Sequence, residues 1–171
     1  MKIRIAFVFL VALAVVPLYA GDEMRKLDWL VGEWKGEASV QSGPGKGEMA
    51  LQTERVQSRQ GGKILVVEGL GKKKLADGTA GDVVHDAFGV IWYDEQGKKY
   101  HFNAWTAQRG YVDAWFEVKD DGSAQWGFDI PQGKIRFTIT RTEKGEWSEV
   151  GEFSPDGTRW FKSLEMKLTK L

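Results

Sequence analysis

The chain of 171 residues contains two histidines, His85 and His101, and no cysteine, so metal and nucleophilic chemistry have few side chains to draw on. A zinc site needs three or four His, Cys or carboxylate ligands within about 2.3 Å of the metal. A hairpin turning at Gln96-Gly97 puts Trp92 beside His101 and leaves His85 further along its strand. At about 3.3 Å per residue the two imidazoles then stand more than roughly 20 Å apart and share no metal. His85, beside Asp86 at a loop end, reads as a solvated turn residue. Nucleophilic catalysis lacks its signatures: there is no Gly-x-Ser-x-Gly, no Cys, and no serine-and-acid setting for either His. Asp120-Asp121 belongs to a turn that uses both residues. Gly69-Leu70-Gly71-Lys72 lacks the spacing and the following helix of a phosphate loop. The expectation is a protein that is not an enzyme, with no metal and no required cofactor.

What remains is binding, and the elements that would shape a binding site are strands. The chain holds 8 Trp, 9 Phe and 21 Gly, a balance that suits aromatic strands joined by tight turns. Asp22 can cap a short helix through Leu30, which places Leu27 and Leu30 on one face; Gly32 ends it. The pattern then predicts strands over Glu33–Gln41, Glu48–Gln57, Lys63–Lys72, Ala87–Tyr93, Lys99–Ala107, Tyr111–Lys119, Ala124–Ile130, Lys134–Arg141, Trp147–Phe153 and Arg159–Thr169. Glycine-containing turns separate most of them. About ten strands in sequence order make an all-β fold, a single antiparallel up-and-down β-barrel with a short N-terminal helix; closure removes the edges that would otherwise aggregate. Two connections are longer, Ser42–Gly47 and Lys74–Asp86.

Turn lengths phase the strands against one another. Two-residue loops at Arg109-Gly110 and Gln132-Gly133, and a three-residue loop at Asp120-Asp121-Gly122, predict one inward face. It comprises Val112, Ala114, Phe116, Val118, Trp126, Phe128, Ile130, Ile135, Phe137 and Ile139. The same phasing extends it to Phe88, Val90, Trp92, His101, Asn103 and Trp105. A cavity lined by Trp92, His101, Asn103, Trp105, Phe116, Trp126, Phe128 and Phe137 would suit a small, largely apolar ligand, with Ala76–Asp86 as its portal loop. His101 is either a polar handle for the ligand's head group or an internal histidine satisfied by Asn103, a carbonyl or water. The last two hairpins leave the directions of Glu149 and Lys162 open.

The opposite face of the central strands is also apolar: Ile91, Tyr93, Tyr100, Phe102, Tyr111 and Trp115. An exposed patch of that kind marks a partner surface, so a homodimer through Tyr100, Phe102, Tyr111 and Trp115 is the alternative to a ligand cavity. The other reading is that the helix or a loop covers it. With 24 basic against 24 acidic residues there is no field to hold a phosphate backbone, and nucleic acid is not an expected partner.

The first residues read as a leader. Lys2 and Arg4 precede the apolar run Ile5 to Val16, and Pro17-Leu18-Tyr19-Ala20 leads into Gly21-Asp22-Glu23. This is the order of a secretory signal peptide, predicted over 1–20, with the barrel domain over 21–171 and a periplasmic or secreted destination. The run is too short for a comfortable membrane helix, which needs about 20 residues.

Leu27-Asp28-Trp29-Leu30-Val31-Gly32-Glu33-Trp34-Lys35-Gly36-Glu37 is similar to the entry motif of the calycin superfamily of lipocalins and fatty-acid-binding proteins. The fuller pattern Trp-Leu-x-Gly-x-Trp-x-Gly-Glu resembles an uncharacterised family of bacterial lipocalin-like domains, and distantly the haem-binding nitrobindins. The resemblance implies that Trp34 closes one end of the barrel, as its bulk at the first strand's entry also suggests. Nitrobindins hold haem iron through a histidine near the C-terminus; Arg159 to Leu171 contains none, which leaves His101 as a third-ranked haem ligand.

Overall fold

Apolar and β-branched residues alternating between glycine turns give ten antiparallel strands. The computed structural model describes residues 22–43 and 46–171; the leader expected over residues 1–20 lies outside them. The strands are β1 (Gly32–Gly43), β2 (Lys46–Arg59), β3 (Ile64–Lys74), β4 (Ala80–Asp94), β5 (Lys99–Thr106), β6 (Gly110–Val118), β7 (Ala124–Ile130), β8 (Gly133–Arg141), β9 (Trp147–Ser154) and β10 (Phe161–Lys170). Each pairs with its sequence neighbours, and β1 also pairs with β10, from Trp34↔Lys170 to Val40↔Leu164. The result is the single closed up-and-down barrel that the pattern predicts.

One end of the barrel is plugged. A short helix α1 (Asp22–Arg25) and one 3-10 turn (Asp28–Leu30) stand where the sequence predicts a continuous helix. The amides of Lys26 and Leu27 reach back three residues, to Glu23 and Met24, which tightens the chain. Met24, Leu27 and Leu30 are all buried by this arrangement. Trp34 is 1 % exposed, and its indole N–H donates to the Leu30 carbonyl at 2.7 Å. It meets Trp29 and Trp147 edge to face, with centroids 6.2 and 5.8 Å away.

The inner face of β6, β7 and β8 matches the prediction, with Phe116↔Trp126 as expected. The β7–β8 pairing runs two residues earlier than a Gln132-Gly133 loop implies, so Trp126 meets Phe137 instead of Ile139, an even shift that keeps every side chain on its face. The inner face of β4 and β5 does not match. Trp92 pairs with His101 as expected, but the β5–β6 connection is three residues long, Thr106 opposing Gly110. A two-residue loop would have paired Trp105 with Ala114; the observed partner is Tyr111. The partner moves by three residues, and any odd shift sends every side chain of a strand to the other face. Tyr100, Phe102 and Ala104 therefore face in, while Phe88, Val90, Trp92, His101, Asn103 and Trp105 face out. The expected portal loop is also shorter. Residues 80–86 belong to β4 and pair with an extended β3 across two bulges, leaving a turn in which Leu75 donates to the Thr79 carbonyl.

Removing the Trp34 ring would leave a void between two other indoles and an unused carbonyl. Trp34→Ala should cost about 3–5 kcal/mol in a chemical denaturation series. Trp105→Ala, on the outer face, should cost far less.

Candidate functional site

The inner faces of the strands line a cavity of about 480 Å³, with Leu30 and Trp147 at its Trp34 end. Phe102, Phe116, Trp126, Phe128 and Phe137 give it an apolar wall, and Ala38, Ala50 and Ala104 leave the space open. At the other end, Glu48, Lys73, Gln108 and Arg109 line the rim. Of the eight residues expected around a ligand, Phe116, Trp126, Phe128 and Phe137 lie on this wall. Trp92, His101, Asn103 and Trp105 do not; they form part of an outer strip.

Polar groups that sequence reasoning did not place stand deep in this cavity. Gln52 and Glu54 on β2 and Glu149 on β9 all face inward, at 5 %, 8 % and 7 % exposure. The Gln52 amide donates to Glu54 Oε1 at 2.7 Å. Glu149 accepts from the indole N–H groups of Trp126 and Trp147, both at 3.2 Å. Neither carboxyl has a cationic partner within 4 Å among the described residues. Burial pushes the Glu54 carboxyl up to about 8, and the negative field of Glu149 adds to it, against the Gln52 hydrogen bond. Burial likewise raises Glu149 to about 7, opposed by its two indole donors.

The local sequence explains how the wall holds these groups. β3 presents Gly69 opposite Glu54 and Gly71 opposite Gln52. A Cβ at Gly69 would lie 2.7 Å from Glu54 Oε1, and one at Gly71 2.5 Å from Gln52 Oε1. The two side chains thus lie flat over bare backbone. His85 follows on β4, opposite Gly71, and lines the cavity instead of a solvated turn. Burial lowers its affinity for a proton, and Asp86 opposes that.

The two histidines point to opposite sides of the wall, His85 inward and His101 outward. Among the described residues no three His, Asp or Glu side chains converge to hold a metal. Haem fares no better by the route the resemblance implies, because β10 sends Leu164, Met166 and Leu168 inward and offers no imidazole.

Outside, His101 stacks on Trp92 with ring centroids 4.2 Å apart and 7° between planes. Its Nε2 is buried without a partner. Asn103 accepts from Trp92 and donates to Tyr111 and Asp113. Phe88, Trp105 and Tyr111 continue the strip, with Trp105 44 % and Tyr111 55 % exposed. Of the residues expected to form an outer partner face, Tyr111 and Trp115 are outside. Tyr100 and Phe102 are on the inner face, where Tyr100 donates to the Glu23 carbonyl beneath α1.

No family model and no curated protein matches the chain. Among solved structures, it is similar to the crystal structure of Rv2717c from M. tuberculosis, with a TM-score of 0.63 at 14 % identity. The match covers 89 % of this chain and 99 % of that one. At that identity the likeness establishes a shared barrel fold. No described helix is long and apolar enough to cross a membrane.

Glu54 and Glu149 make stability depend on pH with a definite sign. Both bind protons more tightly folded than unfolded, so their contribution is complete below about pH 4.5 and is lost as pH rises through about 7 and 8. His85, lowered in the fold, acts in the opposite direction near its ordinary value. The difference between wild type and Glu54→Gln or Glu149→Gln isolates the carboxyls. Each variant should gain on the order of 2–4 kcal/mol over wild type between pH 5 and pH 8, read from melting curves. A difference that does not change with pH would contradict these assignments.

Proposed function

We propose that this chain is an exported lipocalin-like binding protein that takes a small, largely apolar molecule into its barrel. The observation carrying this reading is the cavity of about 480 Å³, apolar along most of its wall and polar at its floor. Binding sites of about 300–1,000 Å³ are typically apolar with a few fixed polar groups. The Gly-x-Trp entry at Gly32 and Trp34 supports a calycin-type assignment, and the basic-then-apolar leader supports export to the periplasm or beyond. The reading includes no catalytic step: capture in the barrel is the activity, and the cavity's Phe116, Trp126, Phe128 and Phe137 supply the contact area.

Native mass spectrometry of the protein purified from an exporting host should show a retained mass of lipid size, which Ala104→Trp eliminates by filling the cavity. His101→Ala should retain that mass unchanged, because the imidazole lies outside. Bare wild-type protein that also fails to take up an added long-chain alcohol would refute the reading.

The exposed strip of Phe88, Trp105, Tyr111 and Trp115 favours a second reading, self-association through the outer face of β4 to β6. In that case sedimentation at high concentration gives a dimer, and Trp105→Ser with Tyr111→Ser gives a monomer. A wild type that stays monomeric removes it.

A further inference from the structure

The cavity floor carries more specific information than its apolar wall. Two carboxyls, from β2 and β9, enter it from different sides of the barrel, and each is more than nine-tenths buried. Glu54 Oε1 accepts from Gln52, but Oε2 has no hydrogen-bond partner among the described residues. Gln52 spends its amide N–H groups on the Thr53 carbonyl and Glu54, so its own Oε1 is also left free. Glu149 keeps acceptor capacity beyond its two indole donors, since an ionised carboxylate has about four lone-pair sites. The floor therefore presents acceptors on which no donor is seated among the described residues; His85, on the wall beside Gln52, makes no hydrogen bond to them. The cations that line the same cavity, Lys73 and Arg109, stand at the rim beside Glu48, at the opposite end from Trp34. Lys170, on the Trp34 side, is engaged at the Trp29 carbonyl.

These acceptors open onto the cavity, and an apolar molecule that displaces water from them costs free energy unless it brings donors of its own, most of all where a carboxylate is ionised. The complement is a cation bearing N–H groups, on a body apolar enough to cover Phe102, Phe116, Phe128 and Phe137. We propose that the ligand is an amphipathic amine, whose ammonium group docks between Glu54 and Glu149 while its hydrocarbon part fills the aromatic cavity. This rests on the cavity-binding reading above and adds the head group to it. A primary ammonium carries three N–H donors for the acceptors that Glu54, Gln52 and Glu149 present to the same cavity, and charge-assisted hydrogen bonds of this type are roughly twice as strong as neutral ones. Once both carboxyls are ionised, a fatty acid presents the wrong charge, since like charges at the floor repel.

The test compares dodecylamine, dodecanol and dodecanoate on the mature protein by calorimetry at about pH 9, above the range in which Glu54 and Glu149 take up protons and where the amine is still charged. The amine should bind at least roughly tenfold tighter than the carboxylate, one decade being a modest return for a buried charged pair. Glu54→Gln and Glu149→Gln keep the shape and remove the charge, and in each the amine's advantage over dodecanoate should collapse. Trp105→Ala, on the outer strip, should keep it. If either Gln variant melts below the working temperature, the ordering of the three probes on wild type decides alone. Dodecanol and dodecanoate binding as tightly as the amine would overturn the head-group assignment and leave the cavity reading intact. Failure of all three to bind would overturn both.

Discussion

The seven-residue ladder between the first and last strands is the constraint on which the molecule depends. Every other ladder joins sequence neighbours, and an open meander of that kind would leave β1 and β10 as two unpaired edges. Pairing Trp34 through Val40 with Lys170 back to Leu164 turns a sheet with two faces into a wall with an inside. Alternation along each strand then decides which residues share the interior. The same ladder holds Trp34 where it can plug the end, and it sets Ala38 beside Met166, next to Glu149. A cavity with a closed floor follows from that one pairing.

The carboxyls impose the opposite demand. A barrel of this size could fill its interior with aliphatic side chains, and burying Glu54 and Glu149 works against folding whenever they ionise. The fold tolerates them because the rest of the structure supplies partial compensation: two indole donors for one and an amide for the other. Trp126 serves both sides of this arrangement, stacking on Phe137 at 4.0 Å while its N–H meets Glu149. The interior is thus divided, aromatic along its length and acidic at its base.

Much of the fold was legible in the chain. Glycine turns and period-two alternation located all ten strands, and the hairpins at Asp120-Asp121-Gly122 and Gln132-Gly133 put Phe116, Trp126, Phe128 and Phe137 on the wall. The β5 error arose because Arg109-Gly110 supports either a two- or a three-residue loop, and both faces of β4 and β5 are apolar. With Trp92, Trp105 and Trp115 on one side and Phe102 and Phe116 on the other, hydrophobicity could not choose. The site was less legible for a related reason. β2 alternates Ala50, Gln52, Glu54, Val56 against Leu51, Thr53, Arg55, and polar residues on both faces conceal which glutamate is buried. Only the neighbouring strand discloses it, through two glycines whose purpose is invisible until the pairing is known.

Those glycines have a consequence for how the barrel can vary. Gly69 and Gly71 contribute no side chains to the cavity; they let Glu54 and Gln52 recline against the wall. The free volume at the base is therefore governed by what two backbone positions lack. A methyl group at either one would push a polar side chain into the lumen, reducing the free volume there while leaving the strand pairing in place. Divergent copies of such a barrel could reshape the base of the lumen by exchanging a hydrogen atom for a methyl at the wall, with the aromatic lining and the closing ladder inherited unaltered.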